Sequence, residues 1–188
     1  MKKLILGLVF SLYFCVNAIS SEIINKIENH WNEINTMSGQ FKQKDPDGVI
    51  LIGNFYFLKP YKSKFVYNDK PENIITNESL LIIVDDNDYK IESYLIGNNI
   101  LKKLLSNELS FHEQFDLINH TSTDDQYILK LKIKNQENNH LKIFFDRDTF
   151  DIKKWEIYDE FQNKTVFEFT KIKKNIFISQ NLFVVNYR

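Results

Sequence analysis

The chain has 188 residues, with 24 basic and 25 acidic side chains, a formal net charge of −1, one cysteine, and an aromatic content of 14 % carried by sixteen Phe, nine Tyr and two Trp. The charge balance excludes a basic surface built for nucleic acid or an anionic membrane as the main partner, and a lone cysteine excludes an internal disulfide framework. A length of this order fits one domain with a core of ordinary size, so the aromatic excess must either fill that core or line something.

Met1-Lys2-Lys3, an apolar run from Leu4 to Val16 and the exit Val16-Asn17-Ala18 have the form of a secretory signal peptide over residues 1–18. The run is too short for a bilayer span of about 20 residues. Its Cys15 follows Phe14, where a lipid-adding signal wants a small residue, so Cys15 reads as part of the signal core. An acylated Cys15 would instead make the protein a membrane-anchored one. Cleavage after Ala18 leaves residues 19–188 as a single cysteine-free exported domain.

Residues 21–35, SEIINKIENHWNEIN, set Ile23, Ile24, Ile27, Trp31 and Ile34 on one helical stripe. The period then changes to two. MSGQFKQ, VILIGNFYFLKP, SKFVY, ENIIT, SLLIIVD and YKIESYL predict six strands, separated by turns such as Asp45-Pro46-Asp47-Gly48. GNNILKKLLSNELSFHEQF breaks the pattern with Ile100, Leu101, Leu104, Leu105 and Leu109 at helical spacing, which predicts one or two short helices. QYILKLKIK, HLKIFFD, IKKWEIYD, TVFEFTKI and NIFIS to LFVVNY predict five more strands. About eleven strands joined by short turns make an antiparallel sheet with one apolar and one Lys/Glu face. The expected fold is mainly β, α+β in class: an open antiparallel half-barrel with an N-terminal helix and a mid-chain helical lid over an apolar concave face.

The search for chemistry returns little. His30, His112, His120 and His140 lack partners at metal-binding spacing. Asp85, Asp86 and Asp88 lack the spacing of a calcium loop and read as a turn. No catalytic motif or cysteine nucleophile of the exported domain is found. The expectation is a protein that is not an enzyme and needs no metal or cofactor. Periodicity leaves two uses for the aromatic side chains: packing the interior, or holding an apolar ligand away from water.

The stretch GNFYFLKPYKSKFVYNDKPENIITNESLLIIVD resembles the periplasmic lipoprotein carrier family, LolA, through Gly53, Phe55, Phe57, Lys59-Pro60, Phe65, Tyr67, Pro71, Ile74, Ile75 and Leu81. Gly39, Gln40 and Phe41 upstream, and Trp155, Asp159, Thr165, Asn175 and Phe183 downstream, extend the likeness over the exported chain. The resemblance implies a monomeric periplasmic carrier that takes acylated lipoproteins from an inner-membrane ABC lipoprotein transporter. It hands them to an outer-membrane receptor or to the outer membrane itself, with no bond made or broken and no role for nucleic acid. It implies acyl-chain contacts at Phe41, Phe55, Phe57, Phe65, Tyr67, Leu129, Leu131, Ile143, Phe145, Trp155, Phe167 and Phe169, and a lid of Ile100, Leu101, Leu104 and Leu105. The family latches its lid with an Arg before the proline, bonded to lid carbonyls. Lys59 stands at that place, without the rigid guanidinium fork. Two other readings share the likeness: an outer-membrane receptor anchored through Cys15, and a lipoprotein-sensing regulatory module.

Overall fold

A computed structural model describes residues 21–95, 100–134 and 140–187. The expected signal peptide, Cys15 within it, and residues 97–99 ahead of the expected lid lie outside these. Helix α1 (residues 21–32) leads into β1 (Thr36–Lys44), β2 (Ile50–Leu58), β3 (Lys62–Tyr67), β4 (Asn73–Thr76), β5 (Leu80–Val84) and β6 (Lys90–Leu95). Two short helices follow, α2 (Ile100–Leu104) and α3 (Phe111–Gln114). The chain then forms β7 (Phe115–Ser122), β8 (Gln126–Ile133), β9 (His140–Asp146), β10 (Ile152–Tyr158) and β11 (Lys164–Lys174), and ends in a 3-10 turn at Gln180–Phe183.

All eleven strands form one open antiparallel sheet in the order β6-β5-β4-β3-β2-β1-β11-β10-β9-β8-β7. Every neighbouring pair is consecutive in sequence except β1 and β11, which meet in the middle, Met37 opposite Lys174. The hairpins are closed by Asp side chains that accept backbone N–H groups and stand in for a turn hydrogen bond. Asp45 takes Val49 N at 2.8 Å, Asp85 takes Asn87 N and Tyr89 N at 2.9 Å, and Asp159 takes Asn163 N at 2.8 Å. Asp85 therefore has turn work to do, and among the described residues no group of three or more His, Cys, Asp or Glu could hold a metal ion.

Two expected elements differ, and they cancel in the count. FDLINHTS is strand β7, although it lacks alternation: as an edge strand it is exposed on both faces after Phe115, and a bulge falls between Leu117 and Asn119. With no face to bury, it had no reason to alternate. The C-terminal NIFIS to LFVVNY is not a strand of the sheet. It crosses the back as a 3-10 turn and a single parallel bridge, Tyr89 to Asn186.

The sheet curls strongly. The rings of Phe65 on β3 and Phe167 on β11 lie 5.8 Å apart with β2 and β1 between them, where a flat sheet would hold the strands about 14 Å apart. Gly39 and Gly53 permit this. Gly53 is the cross-strand partner of Phe41 and Gly39 that of Phe55, so each ring lies over a glycine. A Cβ on Gly53 would stand 2.1 Å from the Val66 carbonyl oxygen and 2.8 Å from the Phe41 ring. The concave side carries the main core, and a small second cluster of Ile75, Ile82 and Val84 lies on the convex side beneath Phe183 and Val185.

Candidate functional site

The period-two alternation of β1–β3 and β8–β11 puts one side chain in two onto the concave face. Phe41, Phe55, Phe57, Phe65, Leu129, Leu131, Ile143, Phe145, Trp155 and Phe169 are buried there in a single cluster, with Tyr67 and Phe167 half-buried against it. The twelve side chains expected from the resemblance are thus brought together on one face. Their rings pack in offset and edge-to-face pairs: Phe55–Phe57 at 4.8 Å, Phe41–Phe65 at 5.3 Å and Trp155–Phe169 at 4.7 Å. Such pairs add roughly 0.5–1.5 kcal/mol each beyond area burial. Tyr67 marks the polar margin: its hydroxyl donates to Gln43 at 2.8 Å, and burial pushes its pKa up to about 12.

The face is covered. Ile27, Trp31 and Ile34 of the N-terminal segment and Ile100, Leu104, Leu105, Leu109 and Phe111 of the helical insert are buried in the same cluster, with Leu101 packed against it. A narrow crevice, with room for little more than one water molecule and lined by Trp31, Ile34, Met37, Phe57, Lys59 and Leu105 among others, remains near the β2–β3 turn.

The cover is tied mainly to α1. The Trp31 indole N–H donates to the Leu104 carbonyl at 2.7 Å. The Asn32 amide holds Leu109 twice, donating to its carbonyl at 2.9 Å and accepting its N–H at 2.8 Å. Glu28 accepts the Phe111 N–H. One tie runs to the sheet, from Tyr61 N to the Leu105 carbonyl at 2.7 Å. The sequence reading missed Glu28, Trp31 and Asn32 as holders of the lid. The available signal was a polar row at positions 28 and 32, i to i+4, beside an apolar stripe that contains a donor-bearing Trp.

Lys59, expected as the lid latch, is placed against α1: among the described residues its Nζ donates to the carbonyl of Trp31 at 2.6 Å and lies 5.3 Å from the Trp31 ring centroid. The carbonyls of Leu104 and Leu105 are already taken, by Trp31 and Tyr61. Burial lowers the Lys59 pKa to about 8. Lys59 therefore braces the residue that holds the lid. Helix α1 is fixed to the sheet at a second point, where His30 Nε2 lies 2.7 Å from Asp151 Oδ1 and Lys174 donates to the same oxygen at 2.6 Å. Burial pushes the Asp151 carboxyl up, but the bonds from Lys174 and His30 outweigh it and hold the group below the usual carboxylate range.

Among the described residues two buried side-chain polar atoms lack a hydrogen-bond partner: the indole nitrogen of Trp155 and the amide oxygen of Gln114. Among the described residues the rest of the concave face is lined by apolar or hydrogen-bonded side chains, so the site can enclose an apolar body.

Residues 32–186 match the family described as outer membrane lipoprotein carrier protein LolA. The chain belongs to the LolA family. Among solved structures, this LolA-family chain is similar to an uncharacterized conserved protein from Thermus thermophilus, at 9 % identity and a TM-score of 0.51, over 90 % of this chain and 99 % of that one. It is similar to a putative outer membrane lipoprotein-sorting protein domain from Vibrio parahaemolyticus, at 7 % identity and a TM-score of 0.50, over 87 % and 94 % of the two chains. MucB in its complex with MucA from Pseudomonas aeruginosa matches at 10 % identity and a TM-score of 0.45 over 89 % of this chain. The chain spans about three-fifths of the length of the MucB chains, 59 % to 63 %. At these identities the likeness is one of fold. No curated protein sequence matches the chain.

Proposed function

We propose that this LolA-family chain is a periplasmic carrier that holds the acyl chains of lipoproteins against its concave face and performs no covalent chemistry. Residues 1–18 direct export and are then cleaved off. The cargo comes from an inner-membrane ABC lipoprotein transporter and goes to an outer-membrane receptor or the outer membrane itself, with the carrier acting as a monomer. The observation that carries this reading is the aromatic face closed by a separate, side-chain-tied cover. The cover is a separate segment, packed on the face through apolar side chains and oriented by a few polar ties to α1.

The energetics favour exchange over permanent capture. An acyl chain of about 400 Å² gains on the order of 10 kcal/mol when fully buried, at about 25 cal/mol per Å². To admit it, the face must give up its contacts with Ile100, Leu104, Leu105 and Phe111. The loss of that burial opposes the gain from the cargo and lowers the net affinity, which favours release. Only the surplus of cargo over lid sets the population of the loaded state.

The test uses purified mature protein and an acylated lipoprotein in detergent. The expected result is a soluble one-to-one complex, and loss of it in Phe57→Asp and Leu104→Asp variants that retain the sheet's circular dichroism. Full binding by folded variants of both would sink the assignment. The intact mass of the protein from its native host decides the anchored alternative: acyl groups on Cys15 would make it a receptor.

A further inference from the structure

Both tryptophans of the chain are about 3 % exposed, but only one indole N–H has a partner. Trp31 donates to the Leu104 carbonyl at 2.7 Å. Trp155 donates to nothing. Its ring lies among Phe57, stacked at 6.2 Å, Phe167, edge-on at 5.7 Å, and Phe169, edge-on at 4.7 Å. An aromatic face is at best a weak acceptor. A bridging water needs two to four polar partners, and these phenyl neighbours supply none. A buried donor left unpaired is unfavourable and calls for an explanation at the place where it sits. That place is the middle of the aromatic face, in the cluster also formed by Phe41, Phe55 and Phe65.

An indole offers a donor and no acceptor, so its partner must be an acceptor. The phenyl surroundings require that the acceptor arrive on a mostly apolar molecule. A free carboxylate would be stripped of water without a countercharge and is disfavoured. The oxygen that fits is a neutral carbonyl attached directly to hydrocarbon. We propose that the Trp155 N–H donates to the carbonyl oxygen of an acyl ester or amide in the bound ligand. This contact fixes how deeply the acyl chains sit and lets the site distinguish acyl linkages from plain alkyl chains. The inference deepens the acyl-carrier reading and rests on it. Trp155 is on this account a specificity-determining residue, and the donor is idle while the lid is closed.

The experiment compares dimyristoylglycerol with its diether analogue, ditetradecylglycerol, which keeps the alkyl chains and lacks the carbonyls. Each displaces a hydrophobic dye from the mature protein, and the two indole N–H resonances of isotopically labelled protein are followed, with Trp31→Phe and Trp155→Phe giving the assignment. The diester is expected to bind about five- to ten-fold more tightly than the diether to the natural chain, as one neutral hydrogen bond in an apolar site gives. In Trp155→Phe the ratio should fall towards one. The Trp155 resonance should move downfield with diester and not with diether. The ester-to-ether ratio is read on the natural chain and does not depend on the variant folding. Equal binding of the two ligands, or a Trp155 resonance that moves alike with both, overturns this inference alone. Failure of both ligands to displace the dye overturns the acyl-carrier reading, and this inference with it.

Discussion

On the concave side of the sheet the aromatic face lies beneath segments held by the side chains of Glu28, Trp31 and Asn32. On the convex side Ile75, Ile82 and Val84 lie beneath Phe183 and Val185 of a stretch held by two backbone bonds, Lys90 N to the Asn186 carbonyl at 2.9 Å and Asn186 N to the Asp88 carbonyl at 2.8 Å, and by side-chain bonds from Asn186 to the Asn87 carbonyl and from Lys62 to Gln180, both at 3.0 Å. The back cover is thereby built into the sheet's own hydrogen bonding, next to the β5–β6 hairpin. The front cover is tied mainly to helix α1 by side-chain bonds. A fold that needed both faces merely closed could have used either device twice. On the proposed carrier reading, the concave face is the one that opens.

The largest effect should come from breaking what both faces share. Gly53→Ala forces a methyl group against the Val66 carbonyl and the Phe41 ring, and should cost about 3 kcal/mol or more in urea denaturation. A loss below about 1 kcal/mol would mean that the curl is not pinned there. Next in size is the difference between the covers. Trp31→Phe keeps most of the ring's bulk but leaves the Leu104 carbonyl without its donor, a local loss of about 1–3 kcal/mol. Amide exchange across residues 100–111 should quicken and hydrophobic dye uptake rise, while β1–β3 stay protected. Phe183→Ala on the back should lower overall stability by about 1 kcal/mol, as fits its half-buried ring, without raising dye uptake. Dye uptake by both variants alike would erase the distinction between clipped and built-in covers.

A further effect is one of pH. The folded-state pKa of Lys59 is about 8 against an ordinary 10.5, because burial disfavours its charge. Between those values the unfolded chain holds a proton that the folded chain has released, so the contribution of Lys59 to stability rises as pH goes from 8 to 10.5. Denaturation of the natural chain and Lys59→Met across that window should show a difference that grows in favour of the natural chain. A difference independent of pH would mean that burial does not disfavour the charge of Lys59 in the folded chain.

Much of the concave face was legible because alternation is a local signal. Once Phe55 and Phe57 are placed on one side, Gly53 must join them, and the rest of β2 follows. The edge strand β7 was illegible for the converse reason, since a segment that buries neither face writes no period into its sequence. The C-terminal NIFIS to LFVVNY misled in the opposite direction: its apolar residues cap Ile75, Ile82 and Val84 rather than enter the ladder. The partner of Lys59 was out of reach of sequence reasoning, because it depends on how α1, the β2–β3 turn and the insert meet. The same holds for the two tryptophans, whose indole groups differ only in what lies opposite them.

The pairing of β1 with β11 has a consequence for how the molecule comes into being. Strands β1 to β6 and β7 to β11 are each a meander of sequence neighbours, but the seam between them joins residues as distant as Met37 and Lys174. Bringing such distant segments together is entropically costly and makes this the slow event of folding. Phe57 meets Trp155, and Phe55 meets Phe169, only across that seam. The complete aromatic surface therefore needs both halves of the chain: β1–β3 bring Phe41, Phe55, Phe57 and Phe65 together, but Trp155 and Phe169 join them only when β10 and β11 dock, so a fragment ending before β11 carries only part of the binding face.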